Sequence, residues 1–215
     1  MIKYKRMHNI KIILSIIVLF VISANLRAQD NAREILDQVS THLLSYSALQ
    51  ADFSFTLENT EADISDTFEG SMVMQGDKFR LTMMGILALC NGEMLWNYSE
   101  DLNEATIVDP MESEFFNPKN IFTLYQKDFD LKTISKKSGS QTIELLPSSE
   151  NDDYSRILIT IDLTKKLIRE VKYFGTDDNQ YIIEISNVIP DVQVDDRFFI
   201  FDASKYPDVE IFDMR

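Results

Sequence analysis

A period-two alternation of apolar and polar residues constrains this chain more than any other feature. Phe53, Phe55 and Leu57 alternate with Asp52, Ser54 and Thr56. Phe68, Met72 and Met74 share one parity, with Gly70 between them, and Phe79, Leu81 and Met83 alternate with Arg80 and Thr82. Successive side chains on a strand point to opposite faces, so each run describes a strand with one dry and one wet face. Leu87–Cys90 and Met94–Tyr98 flank Asn91-Gly92, a strong hairpin signal, and Ala105–Val108 follows a turn at Asp101-Leu102-Asn103. Strands are expected again at Phe129–Ser135, Thr142–Leu146, Arg156–Asp162, Leu167–Phe174, Tyr181–Val188 and Phe198–Phe201. Short turns such as Leu163-Thr164-Lys165 and Thr176–Asn179 leave no room for crossovers, so neighbouring strands pair antiparallel.

Two segments carry a different period. Between Ala32 and Tyr46, residues Ile35, Leu36, Val39, Leu43 and Leu44 fall at helical spacing, with Asp30 or Asn31 placed to cap the start. Pro118 opens a second helical segment whose apolar face is Ile121, Phe122, Leu124 and Tyr125. The expected fold is mainly β (α+β): one large curved antiparallel sheet with helices covering its apolar concave face.

The first residues read as an address. Lys3, Lys5, Arg6 and Lys11 precede an apolar run from Ile12 to Ala24, which ends near a small residue, Ala28. A membrane span needs about 20 apolar residues, so this shorter run is expected to be a secretory signal peptide, 1–28, ahead of one domain, 29–215. No cysteine follows the expected cleavage point, so a lipidated N-terminus is not expected. Removing the segment takes five basic and no acidic residues, moving the net charge from −14 to −19. Such a chain is repelled by phosphates, and no nucleic-acid partner is expected.

Catalytic chemistry finds little support. There are two histidines, one cysteine and no G-x-S-x-G, P-loop or dinucleotide motif. His42 belongs to the helix face and Cys90 to an apolar strand, where a cysteine is buried and inert by default. The pairs Asp152-Asp153, Asp177-Asp178 and Asp195-Asp196 lack the spacing of a calcium loop and read as solvated turns. No enzyme activity, cofactor or metal is expected. The notable enrichment is apolar: six of nine methionines lie between Met72 and Met111, interleaved with Phe68, Phe79, Leu81, Leu89, Leu95 and Trp96. Flexible methionines suit a surface that accepts irregular apolar guests, and equally suit a filled core.

Local motifs sharpen this. Gly70–Met74, then Asp77-Lys78-Phe79-Arg80, then Leu89-Cys90-Asn91-Gly92-Glu93-Met94-Leu95-Trp96-Asn97-Tyr98 resemble the signature of the LolA-like periplasmic lipoprotein carriers. Asn117–Ile121, Asp178–Ile183 with Asn187-Val188, and Phe198–Phe201 with Pro207-Asp208-Val209 resemble later segments of that family in the same order. The resemblance implies an incomplete antiparallel barrel closed by helices over an apolar cavity. It implies a periplasmic carrier of acylated lipoproteins, loaded by an inner-membrane lipoprotein-releasing transporter and delivering to an outer-membrane acceptor or membrane surface. A monomer is expected. The expected cavity lining is Phe68, Met72, Met74, Phe79, Leu81, Met83, Leu89, Leu95 and Trp96, with packing behind the cavity as the alternative for Trp96 because one register slip reverses a face; the expected lid is Ile35, Leu36, Val39, Leu43, Ile121, Phe122 and Tyr125. One departure is clear: the family commonly has an Arg-Pro pair before the lysine-phenylalanine strand, with the arginine helping to hold the lid, and this chain has Gln75-Gly76-Asp77. The alternatives are a periplasmic lipid or lipopeptide sensor on the same fold, or a secreted hydrolase.

Overall fold

The computed structural model describes residues 31–111, 118–149 and 153–215. The expected signal peptide, Asp30, Asn117 and Asp152 lie outside the described residues. Twelve strands form one sheet: β1 (Leu49–Asn59), β2 (Ile64–Gln75), β3 (Lys78–Met83), β4 (Ile86–Cys90), β5 (Leu95–Ser99), β6 (Glu104–Val108), β7 (Phe129–Lys137), β8 (Ser140–Pro147), β9 (Tyr154–Asp162), β10 (Leu167–Gly175), β11 (Gln180–Pro190) and β12 (Glu210–Asp213). Their spatial order is β12-β6-β5-β4-β3-β2-β1-β11-β10-β9-β8-β7. The β1–β11 pair joins an N-terminal meander to a C-terminal one, and β12 and β7 are left as edges, so the barrel is not closed.

Local chemistry sets the turns. Met84 and Gly85 both have positive φ (54° and 72°), which gives the β3–β4 hairpin the two-residue primed turn that matches strand twist. Asn91-Gly92 also makes a hairpin, but a longer one. The Asn91 carboxamide oxygen accepts from the backbone N–H of Glu93 and Met94, so the loop takes residues 91–94 and β5 begins at Leu95. The expected strand Phe198–Phe201 is instead part of a 3₁₀ turn, Asp196–Phe199. Asp195 accepts from the Arg197 N–H at 2.8 Å, and that cap competes with ladder pairing. The last strand is β12, which runs parallel to β6.

Helix α1 spans 31–44. Ala32, Leu36, Val39 and Leu43 are buried, one stripe at spacings of four, three and four. Helix α2 is short, Lys119–Thr123, entered from Pro118 and continued by a 3₁₀ turn at Leu124–Gln126. Both pack into one core cluster with Ala51, Phe53, Met72, Phe79, Ile143, Leu145, Ile157 and Ile159, all from one face of the sheet. A second cluster lies on the opposite face of β4–β6, where Leu87, Leu89, Trp96, Tyr98 and Ala105 meet Phe201, Tyr206 and Val209 from the C-terminal segment.

Candidate functional site

The concave face under the helices is the candidate site. Its floor is set by register: Leu49, Ala51, Phe53 and Phe55 on β1 stand opposite Met74, Met72, Gly70 and Phe68 on β2. Directly opposed residues share a face, so these eight project together. Gly70 is needed there. A Cβ on it would lie 2.7 Å from Phe53 Cε2, because the Phe53 ring lies across the glycine. The bare backbone thus makes room for a large ring in the middle of the floor.

Of the residues expected to line a cavity, Met72, Met74, Phe79 and Leu95 are buried in the helix-covered cluster, with Leu81 and Met83 packed against it. Phe68 is half-buried, opposite Phe55. Leu89 and Trp96 do not belong to this face. They are paired with each other on β4–β5 and sit in the second cluster, against the C-terminal segment. The reason is period-two geometry: Leu89 lies between Ala88 and Cys90, which face the helices, and Leu95 and Trp96 cannot share a side. Because β4 is apolar on both faces, alternation offers no choice between them. All seven expected lid residues sit on or against the concave cluster: Leu36, Val39, Leu43, Phe122 and Tyr125 are buried, Ile35 and Ile121 partly so.

Much of the floor lies outside the residues that sequence singles out. Phe53 on β1 and Ile143, Leu145, Ile157, Ile159 and Ile161 on β8–β9 are buried in the same cluster as the methionine-rich half, and Phe55 packs against it. Their signal is present in the alternation of those strands; the methionine count points to β2–β6 instead.

A few polar contacts hold the helices down. The Tyr125 hydroxyl donates to Asp37 Oδ1 at 2.7 Å and accepts from Gln126 Nε2 at 3.3 Å. Burial, with the Asp37 carboxylate beside it, pushes the Tyr125 hydroxyl above the usual tyrosine range. Lys119, the first residue of α2, pairs with Asp77 in the β2–β3 turn at 2.5 Å. The neighbouring Lys78 pairs with Asp196 at 2.6 Å. Adjacent residues at the β2–β3 turn and the start of β3 therefore contact both α2 and the 3₁₀ turn Asp196–Phe199. Within the stretch Gln75-Gly76-Asp77, Asp77 thus supplies a carboxylate that meets a lysine at the start of α2.

Within the apolar face, Asn97 Oδ1 is buried without a hydrogen-bond partner among the described residues. Tyr173 is pushed up to about 12 by burial and by Tyr154, whose ring stands edge-on at 6.0 Å. Cys90 is buried, and burial raises its thiol. His42 is half-buried with Nε2 2.9 Å from the Tyr46 hydroxyl. Asp177 orders its own turn through Asn179, which holds its carboxyl below the usual range, and Asp195 caps the 3₁₀ turn. Among the described residues, no group of three or more His, Cys, Asp or Glu is placed to hold a metal. No helix among them is long and apolar enough to cross a membrane.

With this geometry in view, the comparisons with known proteins agree. The family model described as outer membrane lipoprotein carrier protein LolA matches residues 45–202. A protein of Coxiella burnetii described as outer-membrane lipoprotein carrier protein is 27% identical, over 94% of this chain and 99% of its own length. A second strain's version is 26% identical over the same shares. Among solved structures, an uncharacterised conserved protein from Thermus thermophilus has TM-score 0.56 at 12% identity, covering 85% of this chain and 99% of its own; that likeness is one of fold. A helix-covered apolar face on an open sheet, with a family match across most of the chain, places this protein in the LolA family of outer membrane lipoprotein carrier proteins.

Proposed function

We propose that this chain is a periplasmic carrier. It shields the acyl chains of lipoproteins against its concave face and moves them from the inner to the outer membrane. The observation that carries this reading is the seating of α1 and the 118–126 segment over the apolar face of a sheet with two free edges. The descriptions of its relatives support it. The segment 1–28 directs export and is cleaved near Ala28.

The physical problem is keeping hydrocarbon out of water. Burying a methylene gains about 0.8 kcal/mol, so a chain of about sixteen carbons represents roughly 12 kcal/mol of gross stabilisation. Bare, the floor would be an apolar patch larger than soluble monomers tolerate. The helices cover it when the protein is empty. Acyl chains replace helix contacts with lipid contacts when it is loaded. The exchange substitutes one apolar covering for another, so the net gain is small and release stays feasible. Phe68, Met72, Met74, Phe79, Leu81, Met83 and Leu95 line the site together with Phe53 and Phe55. The protein acts by binding, not by catalysis, as a monomer. The work of loading comes from the lipoprotein-releasing transporter of the inner membrane, and delivery goes to an outer-membrane acceptor or the membrane surface.

The test is displacement of bound bis-ANS from the exported protein by a dipalmitoyl-cysteinyl peptide. Saturation at one lipopeptide per chain is expected. No displacement at any concentration below the peptide's own aggregation would contradict the reading.

A further inference from the structure

The sheet is paired along only part of the β10–β11 junction. β10 and β11 pair only from Glu170 opposite Glu184 to Phe174 opposite Gln180. Beyond that point β11 runs on to Pro190 paired with β1, and β10 begins at Leu167 paired with β9. The two strands fork. The cause lies in two bulges facing each other at the divergence. Ile168 pairs with Ile161 and Glu170 with Thr160, which leaves Arg169 as an extra residue on β10. Asn187 pairs with Asp52 and Ile185 with Phe53, which leaves Ser186 as an extra residue on β11. A bulge bends its strand and sharpens the twist, and bulges concentrate beside functional sites. Each bulge also shifts the alternation by one, so Ile168 and Val171, and likewise Ile185 and Val188, all stay on the core side although they are three apart.

The fork opens a cleft of about 680 Å³. Its inner walls are Leu167, Ile168, Ile185 and Val188, which also belong to or pack on the concave cluster, so the apolar side of the cleft borders the candidate lipid site. Its polar rim carries Glu69, Asp162, Glu170 and Glu184 against Lys165 and Arg169. Glu69, Glu184 and Glu170 lie in one row across β2, β11 and β10, through Ser54. Along the free stretch of β11, alternate backbone N–H and C=O groups have no strand partner among the described residues. At about 3.4 Å per residue, Ile185–Pro190 offers roughly 20 Å of unpaired edge.

We infer that this fork binds the extended peptide that follows the acylated cysteine of the cargo, adding it as a strand to β11 and favouring a cationic segment. The inference rests on the carrier reading. Three features match such an occupant. Free strand edges recognise extended backbone rather than lipid. The apolar inner walls place that edge beside the face proposed to hold acyl chains, and in a lipoprotein peptide and acyl chains are covalently joined. The carboxylate row complements positive charge. Acyl chains and the peptide would thus be read by two different parts of one sheet.

The test compares three probes on the exported full chain: dipalmitoylglyceryl-cysteine methyl ester, the same acylated cysteine carrying Ser-Lys-Lys-Lys-Lys, and that peptide with alternate backbone amides N-methylated. The peptide tail should raise affinity roughly tenfold. N-methylation should remove that gain, and so should Glu69→Lys/Glu184→Lys, while binding of the tail-less ester stays unchanged. Amides of 185–189 should gain hydrogen-exchange protection only with the unmethylated tail. Tight binding of the ester with no gain from the tail, or a gain that survives N-methylation, would overturn the fork assignment and leave the carrier reading standing. Failure of all three probes to bind would overturn both.

Discussion

Tyr125 donates its hydroxyl proton to Asp37 at 2.7 Å, and the bond joins the segment after α2 to the outer side of α1. The two coverings of the concave face are therefore tied to each other as well as to the floor. Tyr125 is 1% exposed, so its hydroxyl has no water to fall back on. Tyr125→Phe should cost about 1 kcal/mol of stability in urea unfolding, since Asp37 is exposed and can turn to solvent. The same variant should bind more bis-ANS in the native state, because the two helices separate more readily. Unchanged bis-ANS binding would show that the bond does not govern opening.

The Asp77–Lys119 pair lies at the surface, with side chains 77% and 37% exposed. Pairs of that kind contribute about 0–1 kcal/mol and are screened by salt. Asp77→Lys should leave the unfolding midpoint nearly unchanged but accelerate lipopeptide uptake, by repelling Lys119 from the β2–β3 turn. The swapped double variant Asp77→Lys/Lys119→Asp should restore the slower rate. In the parent protein, uptake should quicken as salt rises. Stopped-flow bis-ANS displacement at two ionic strengths checks all three.

Gly70→Ala places a methyl against the Phe53 ring, in a floor with neighbours on both sides. Overpacking of this kind typically costs about 1–3 kcal/mol. Adding Phe53→Leu should recover part of the loss, because the smaller side chain vacates the space. Denaturant midpoints of the two variants test it; an additive loss in the double variant would show that the ring is not the obstacle.

Tyr173 sets a pH dependence. Its folded hydroxyl titrates at about 12, against about 10 for an unfolded tyrosine. The neutral form is thus favoured in the folded protein. Its contribution is fully present below about pH 10 and is lost as pH rises from about 10 to 12, roughly 2 to 3 kcal/mol in all. Tyr173→Phe should flatten the fall of the unfolding free energy across that window.

Asn97 presents a buried carboxamide oxygen within the apolar face, with no hydrogen-bond partner among the described residues. A buried acceptor left unsatisfied costs about 1–3 kcal/mol, so Asn97→Leu should stabilise the empty protein by a comparable amount. If that oxygen receives an N–H from an acylated cysteine, the same variant should weaken binding of a dipalmitoyl-cysteinyl peptide while binding of palmitate is unaffected. Calorimetry with the two ligands checks it.

The architecture is legible in the sequence because period-two patterning survives in nearly every strand, and α1 keeps a single clean stripe from Ala32 to Leu43. Faces are harder. In β4, Leu87, Ala88, Leu89 and Cys90 are all buried, so alternation says nothing about which side meets the helices. Patterning alone therefore leaves the face of Leu89 and Trp96 open; only the packing of Phe201 and Tyr206 from the C-terminal segment explains why the outer side of β4–β5 is apolar as well. The Phe198–Phe201 run has β-forming residues, but the Asp195 cap turns it into a 3₁₀ segment. The fork is invisible for a different reason. Arg169 and Ser186 look like ordinary polar residues, and only the register on both sides of each strand reveals them as bulges.

The central claim is that the concave face holds acyl chains, and native mass spectrometry tests it most directly. The full chain would be exported with its own N-terminal segment, purified from the periplasm without detergent, and extracted for lipid. Co-purified lipoprotein or acylated peptide, one per chain, is the predicted result. A bare protein mass that takes up no added lipopeptide would contradict the account and leave the concave face as an ordinary filled core.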